Sequence, residues 1–504
     1  MEALRPDVSL LAGAQAVAQD LDPEYLAHNA ALPFIAEDGR CLVATWRPRL
    51  EPHVHDDLLL RLGRDFEVVQ LEEEEIRPAI QRLYGRIGRS AEELVAELAV
   101  ANASPWQGEV ASISDLRNLA NEAPVVRLVN LLLIEALEAG ASDVHLEGHE
   151  GGLRVRYRID GVLQDAPSPP AHLAAAVVSR LKIMAELDIA ERRVPQDGRI
   201  RLRLEDREVD VRVSTMPVLH GESVVLRLLD RARGRIQLDE LGMAPDTLSL
   251  FRRAIGRPHG IVLVTGPTGS GKTTTLYAAV EELRTGAEKI VTVEDPVEYA
   301  LPGICQTPVS PRVGFAAALR ALLRQDPDII LVGEIRDPET AEIATQAALT
   351  GHLVLSTLHT NDAAGAITRL LDLGVADYLV ASTLSAVLAQ RLVRKVCVEC
   401  AEECVLGPEI ARMLEAAEEG PPPRGRRGRG CAACRGTGFR GRTGIYELLI
   451  VDDEVRAAIL HRRAAAGLAR LAAGRGMRTL RQDGWRQVRA GVTTAEEVLR
   501  VTTT

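Results

Sequence analysis

Apolar positions fall into two rhythms along this chain. In the middle, four uninterrupted runs at 261–264, 290–293, 329–332 and 353–356 are separated by stretches of helical spacing. Short runs with no polar alternation suit strands buried on both faces. Their alternation with helices predicts a mostly parallel sheet with helices on both sides. Upstream the period drops to two: residues 153–159 and 209–214 alternate strictly, giving one apolar face and one arginine-rich face. That second face is either simply solvated or turned toward an anion. A helix over 124–138 leads into Gly140, a suitable C-cap. In the first hundred residues the runs 32–35, 41–44 and 66–69 predict strands, and the acidic run 72–75 predicts a solvated helix start. Residues 101–108 have linker composition, and 315–324 reads as a helix stopped by Asp326-Pro327. The segment 421–430, rich in Arg, Gly and Pro, reads as a basic loop. Beyond Gly444 the pattern is mainly helical apart from 445–447. No fixed-period repeat is present.

A chain of 504 residues should form about three or four domains, and 46% hydrophobic with 26% charged residues suits a globular protein with ample core. The formal net charge of −11 and an aromatic content of 3% argue against a nucleic-acid partner, which would favour a basic field and stacking platforms. No apolar stretch approaches the roughly 20 residues that span a bilayer. The N-terminus has no basic segment leading into an apolar one, so a cytoplasmic location is expected.

The strongest chemical signal is Gly266-Pro267-Thr268-Gly269-Ser270-Gly271-Lys272-Thr273, set between the strand 261–264 and a helix predicted over 274–284. This is G-x-x-x-x-G-K-[ST] in its required strand–loop–helix context. The glycines let backbone N–H groups turn inward on phosphate oxygens, and the helix N-terminus adds positive potential. Lys272 would reach the β- and γ-phosphates, and the Thr273 hydroxyl would ligate Mg²⁺. A merely structural turn explains the glycines but not the lysine, threonine and flanking elements together. The motif implies a bound nucleoside triphosphate.

Three further strand ends carry chemistry. The run 329–332 ends at Gly333-Glu334, delivering a carboxylate where open parallel sheets place their ligands. Glu334 therefore faces either solvent or the metal and attacking water. The run 290–293 passes into Glu294-Asp295-Pro296-Val297-Glu298, three carboxylates where a turn needs none. After 353–357 comes His359, either a packed or capping histidine or a hydrogen-bond sensor of the γ-phosphate. Arg320 and Arg324 stand four apart on one helical face, and Arg336 follows Glu334 by two positions. They are surface charges or the fingers that neutralise a phosphoryl transition state, often across a chain boundary.

Five of the seven cysteines crowd between 397 and 434. Cys397-x-x-Cys400 and Cys431-x-x-Cys434 are paired knuckles whose four thiolates suit a closed, structural Zn²⁺ site. Cys404 is a spare, and spacing alone does not fix the ligand set. The rival, two redox-active dithiols, lacks a thioredoxin-like setting. A bound metal would pin the Arg/Gly/Pro loop.

These motifs, in order, resemble one family: the secretion ATPases of type II secretion and type IV pilus assembly. The resemblance rests on 266–273, on Thr292-Val293-Glu294-Asp295-Pro296-Val297-Glu298-Tyr299, on Leu331-Val332-Gly333-Glu334-Ile335-Arg336-Asp337 and on 350–360. Upstream it includes Ala141-Ser142-Asp143-Val144-His145, Gln196-Asp197-Gly198-Arg199 and Arg212-Val213-Ser214-Thr215. Downstream it reaches Gly441-Arg442-Thr443-Gly444-Ile445-Tyr446-Glu447, so it covers about 110–504. The cysteine knuckles point to assembly-type members, and Leu32-Pro33-Phe34 with Leu238-Asp239-Glu240-Leu241-Gly242-Met243 are more similar to the type II secretion branch. A pilus-assembly ATPase is the nearest alternative, and a nucleic-acid translocase a remoter one.

What the resemblance implies is an α/β fold: a RecA-like P-loop NTPase domain (240–395), a PAS-like α+β domain before it (110–232) and a small N-terminal α/β domain (1–104). A tetracysteine insertion (396–440) and a C-terminal helical region (441–504) complete it. It also implies ATP hydrolysis with Mg²⁺, with Glu334 and Glu298 catalytic and His359 coupling nucleotide state to motion. The loop residues through Thr274 would hold the nucleotide, with Arg212 and Arg227 meeting it opposite Arg320, Arg324 and Arg336. The implied partners are five further copies in a hexameric ring, a bitopic inner-membrane protein's cytoplasmic domain, a polytopic platform protein and acidic phospholipid. The enzyme would act on the inner face of the inner membrane.

Overall fold

In a computed structural model, each of the four central apolar runs is a strand. The structure describes residues 23–36, 39–83, 91–101, 123–204, 207–230, 236–407 and 424–503, with Glu409 and a few isolated positions before 23. The linker reading at 101–108 falls, apart from Ala101, outside the described residues. The chain divides into two compact units; the first comprises mainly the N-terminal residues and the second nearly everything from 133 onward.

In the first unit, β1 (Leu32–Ile35), β2 (Cys41–Thr45) and β3 (Glu67–Gln70) form a sheet in that order, β1 antiparallel and β3 parallel to β2. The helices Pro52–Leu62 and Glu73–Leu83 supply Val54, Leu58, Ile76 and Ile80 to its core, which Phe34, Leu42 and Val43 complete. All three expected strands and the acidic helix start are present.

The second unit opens with a six-stranded antiparallel sheet: β4 (Ala141–His149), β5 (Gly152–Ile159), β6 (Val162–Asp165), β7 (Gln196–Leu204), β8 (Arg207–Val218) and β9 (Gly221–Asp230). Its order is β6-β5-β4-β9-β8-β7. The period-two pattern has the expected result. Leu153, Val155, Tyr157, Val209, Val211 and Val213 are buried, while Arg154, Arg156 and Arg158 lie on the other face beside Asp165, Glu147 and Asp143. The helix Ala174–Met184 packs on β7 and β9.

The second sheet of this unit has seven strands: β10 (Gly260–Thr265), β11 (Ile290–Glu294), β12 (Cys305–Pro308), β13 (Ile329–Val332), β14 (Leu353–Leu358), β15 (Leu384–Val396) and β18 (Phe439–Ile450), in the order β12-β11-β13-β14-β10-β15-β18. All neighbours are parallel except β15 and β18. Every residue of β10, β11, β13 and β14 is buried. Two apolar layers cover the sheet, one built around Leu319, Ala344, Ile367 and Ile459 and the other around Phe251, Leu276 and Tyr277. Between β15 and β18 the chain makes a small ribbon, β16 (Ala401–Val405) antiparallel to β17 (Arg424–Gly428).

Several elements differ from the sequence expectation. The basic segment 421–430 is not all loop: 424–428 form β17, zipped to β16 by charge, with Arg427 against Glu402 at 2.7 Å. The run 445–447 is part of the 12-residue β18, held by its pairing with β15. The phosphate-loop helix starts at Lys272 rather than Thr274, and the helix over 315–324 ends at Leu322. Among the described residues no helix is long and apolar enough to cross a membrane.

Candidate active site

Four parallel strands bring the candidate chemistry to one sheet end. β10 enters the loop Gly266–Thr273, and the helix Lys272–Leu283 leaves it. Gly266, Gly269 and Gly271 all have positive φ, the curl that turns successive amides inward. At Gly266 the need for glycine is also steric. A Cβ there would lie 2.5 Å from the Gln390 carbonyl oxygen and 3.1 Å from Arg391 Nη1. The Lys272 ammonium donates to the carbonyls of Gly266 (2.8 Å) and Pro267 (3.1 Å). Burial drives its pKa down to about 8, nearby Arg391 adds to the shift, and the Glu334 carboxylate opposes it. Thr273 is exposed beside it and Thr274 half-exposed; Ser270 is buried. Thr268 and Gly269 lie at the exposed rim of the loop.

Glu334 stands just beyond β13, its side chain only 12% exposed, with Arg336 Nε at 2.5 Å and His359 Nε2 at 3.6 Å from the same carboxylate oxygen. Burial, then Lys272, pushes the His359 pKa below its ordinary value, so the ring is neutral at pH 7 and free to donate one hydrogen bond. Lys272, Glu334, Arg336 and His359 therefore converge at this sheet end.

Glu298 meets the antiparallel sheet. Arg212 of β8 places Nη1 3.6 Å from the Glu298 carboxylate and donates from Nη2 to the Val297 carbonyl at 2.9 Å. Arg227 of β9, directly opposite Arg212 in register, donates to Asp143 at 3.0 Å. Arg199, Arg212 and Arg227 line a cleft of about 500 Å³, to which Pro296 of the acidic loop also contributes. The arginine-rich face thus turns toward the acidic loop. Arg320 and Arg324 are located elsewhere. Arg320 pairs with exposed Glu339 at 2.6 Å, and Arg324 donates to the Arg320 carbonyl.

Sequence reasoning missed Gln390 and Arg391. Both are buried on β15 beneath the phosphate loop. Gln390 Oε1 accepts from Thr275 at 2.7 Å, and Arg391 donates to the carbonyls of Gln390 and Asn361. The available signal was a polar pair interrupting an apolar strand.

The cysteine cluster is closed. The Sγ atoms of Cys397, Cys400, Cys431 and Cys434 lie within 4.8 Å of one another, with separations of 3.9 Å (397–431), 3.8 Å (400–434) and 3.7 Å (431–434). A tetrahedral zinc with Zn–S bonds of about 2.3 Å requires S···S edges near ~3.8 Å, so the donor set fits. Backbone amides of Gly430, Cys431 and Gly438 donate to the Cys400 and Cys434 sulfurs, as thiolate ligands need. Burial opposes ionisation of Cys434, but the Cys431 and Gly438 amides and the neighbouring thiols outweigh it and bring its pKa below the ordinary thiol value. Cys404 is outside the cluster, on β16.

Comparison with known proteins now decides the family. The family model described as "Type II/IV secretion system protein" matches residues 118–500. The chain belongs to this family. A second model, the MshEN domain, matches residues 2–90. Among curated members, the type II secretion system protein E of Xanthomonas campestris pv. campestris is 54% identical over 96% of this chain and 87% of its own length. The type II secretion system ATPase E of Vibrio cholerae is 48% identical, covering 87% of each chain. Among solved structures, the pilus retraction motor PilT with bound ADP superposes with a TM-score of 0.52 at 27% identity, over 74% of this chain and 96% of its own. The Legionella pneumophila ATPase DotB, at 21% identity and a TM-score of 0.56, shares the fold. The resemblance read from the motifs and the RecA-like α/β fold are both borne out, and the relatives place the chain on the type II secretion branch.

Proposed function

We propose that the protein hydrolyses ATP to ADP and phosphate and couples that reaction to assembly of a type II secretion machine. The observation that carries this reading is the convergence of Lys272, Glu334, Arg336 and His359 at one sheet end, with Arg212 reaching Glu298 from a second domain.

Loop amides and Lys272 would cradle the β- and γ-phosphates. The Thr273 hydroxyl would hold Mg²⁺, which supplies charge neutralisation between the phosphates when bound. Glu334 orients a water in line with the γ-phosphorus and takes its proton as the new P–O bond forms and the bond to ADP breaks. His359, neutral, donates to the γ-phosphate and so distinguishes ATP from ADP. Glu298 steadies the same water from the facing loop. Arg212 and Arg227 would exchange their present carboxylate partners for phosphate, drawing the antiparallel sheet inward, and phosphate release would let it go. Arg320, on the exposed face of the helix Phe315–Leu322, and Arg324, exposed in the turn after it, would serve a neighbouring subunit's nucleotide in a hexameric ring.

The four cysteines would hold a structural Zn²⁺. Residues 1–104 would dock the cytoplasmic domain of a bitopic inner-membrane protein. The ring would push on a polytopic platform protein, with acidic phospholipid nearby, holding the enzyme at the inner face of the membrane.

Phosphate release by wild type, Lys272→Ala and Glu334→Gln is the test. Turnover should fall roughly 10²-fold or more in both variants, with ATP binding kept in Glu334→Gln and lost in Lys272→Ala. Wild-type turnover in Glu334→Gln would overturn the assignment.

A further inference from the structure

Behind the quartet lies a buried carboxylate that the chemistry above does not use. Glu294, at the end of β11, is 3% exposed and accepts from the Tyr277 hydroxyl, from Thr292 Oγ1 at 2.5 Å and from Gln306 Nε2 at 3.2 Å. All three donors are neutral. A buried carboxylate is tolerable on those terms only if its donors are fixed, and an apolar residue of similar volume would cost less.

Tyr277 explains what the arrangement holds. It sits one turn past Lys272 on the phosphate-loop helix, 1% exposed, its ring edge-on to Tyr299 with centroids 4.7 Å apart. Its hydroxyl donates to Glu294 and accepts the backbone N–H of Glu298 over a long 3.4 Å bond. Gln306, from β12, closes the knot. Its Nε2 donates to the Tyr299 carbonyl at 3.2 Å, and its Oε1 accepts from the Leu301 amide at 2.7 Å. The loop bearing Glu298 is thereby tied at residues 298, 299 and 301 to one buried cluster, whose centre belongs to the helix that carries Lys272. On its outer side the same loop takes Arg212.

We propose that Tyr277 is a positioning residue, whose hydroxyl fixes Glu298 relative to the phosphate loop. This rests on the hydrolysis reading above. It makes the distance between the lysine on the phosphates and the carboxylate on the water a property of one side chain, because both are referred to the same helix.

Tyr277→Phe keeps the ring packing and deletes the joint. Steady-state ATPase assays should show kcat reduced roughly tenfold to a hundredfold, with ATP affinity within about twofold of wild type and the melting temperature little changed. On a Glu298→Gln background the same substitution should add almost nothing, because it acts through Glu298; a merely structural loss would add in full. Should Tyr277→Phe fail to fold, Gln306→Leu, which unties the loop but leaves the Tyr277–Glu294 bond, is expected to give the same kcat-only loss. Wild-type turnover in either folded variant, or full additivity with Glu298→Gln, would overturn the proposal while leaving the hydrolysis reading intact. A wild-type enzyme that releases no phosphate would remove both.

Discussion

Lys272 is a cation held where little water reaches it, 9% exposed and bonded to two loop carbonyls. Burial lowers its pKa from 10.5 to about 8. Between those values the unfolded chain binds more protons than the folded loop. The charge therefore costs stability at neutral pH, and that cost is relieved as pH rises from about 8 to about 10.5. A polyphosphate reverses the balance by stabilising the ammonium. Nucleotide binding should then take up close to half a proton at about pH 8 and roughly a tenth at about pH 7, with affinity weakening progressively above pH 8. Calorimetry of ATP binding in buffers of different ionisation heat measures this directly; uptake that is zero at pH 8, or equal in Lys272→Ala, would refute it. The lysine was legible because its motif is contiguous. Its neighbours Gln390 and Arg391 were not, since Gln390 comes 115 positions after its partner Thr275 and the contact exists only once β15 lies parallel to β10. Tyr277 is hidden differently: on a helix already explained by apolar packing, nothing in the sequence marks one hydroxyl as paired.

At the scale of elements, β15 and β18 are the unit that the sequence least foresaw. A run such as 445–450 is too short and too apolar to distinguish strand from buried helix by period. Arg/Gly-rich 424–428 has no apolar alternation at all, and it becomes a strand through cross-strand charge pairs with β16. By contrast, the four central runs were legible because burial on both faces leaves no other composition. The cysteine cluster sits at the connected end of the β15–β18 pair, where β15 finishes and β18 begins. Cys397 directly follows β15, its amide donates to Gly438 at 2.9 Å, and Cys434 lies just before β18. A metal there would staple the two strands at the end where the chain passes from one to the other. Cys434→Ser should therefore abolish stoichiometric zinc and lower the melting temperature by roughly 5 °C or more. Intrinsic ATP affinity should stay nearly unchanged, because the side chains of Gln390 and Arg391 bond to Thr275 and Asn361 rather than to the cluster. Elemental analysis, thermal unfolding and nucleotide titration on the same preparation check the three parts; a wild type without zinc would remove the premise.

In the second unit, among the described residues, polar contacts join the antiparallel sheet to the nucleotide-binding sheet domain at two places of different character. Arg212 meets Val297 and Glu298 inside the cleft, within reach of phosphate. Asp160, in the β5–β6 turn, accepts the Gly441 amide at 2.7 Å and lies 3.4 Å from Arg442, beside the cysteine cluster. The first contact uses a guanidinium that a polyphosphate would compete for; the second uses a backbone amide that no nucleotide reaches. On the proposed function, a change of nucleotide would break one anchor and spare the other, and that asymmetry would convert binding at the loop into rotation of the sheet rather than its detachment. Arg212→Ala tests the movable anchor. Turnover should fall roughly tenfold or more, because the sheet no longer closes over the phosphates. Amide hydrogen exchange should rise at 297–299, where Val297 and Glu298 lose their partner, yet stay as in wild type around Gly441. Faster exchange at both places would mean that the domain swings free as one piece, and unchanged exchange at 297–299 would mean that Arg212 holds nothing.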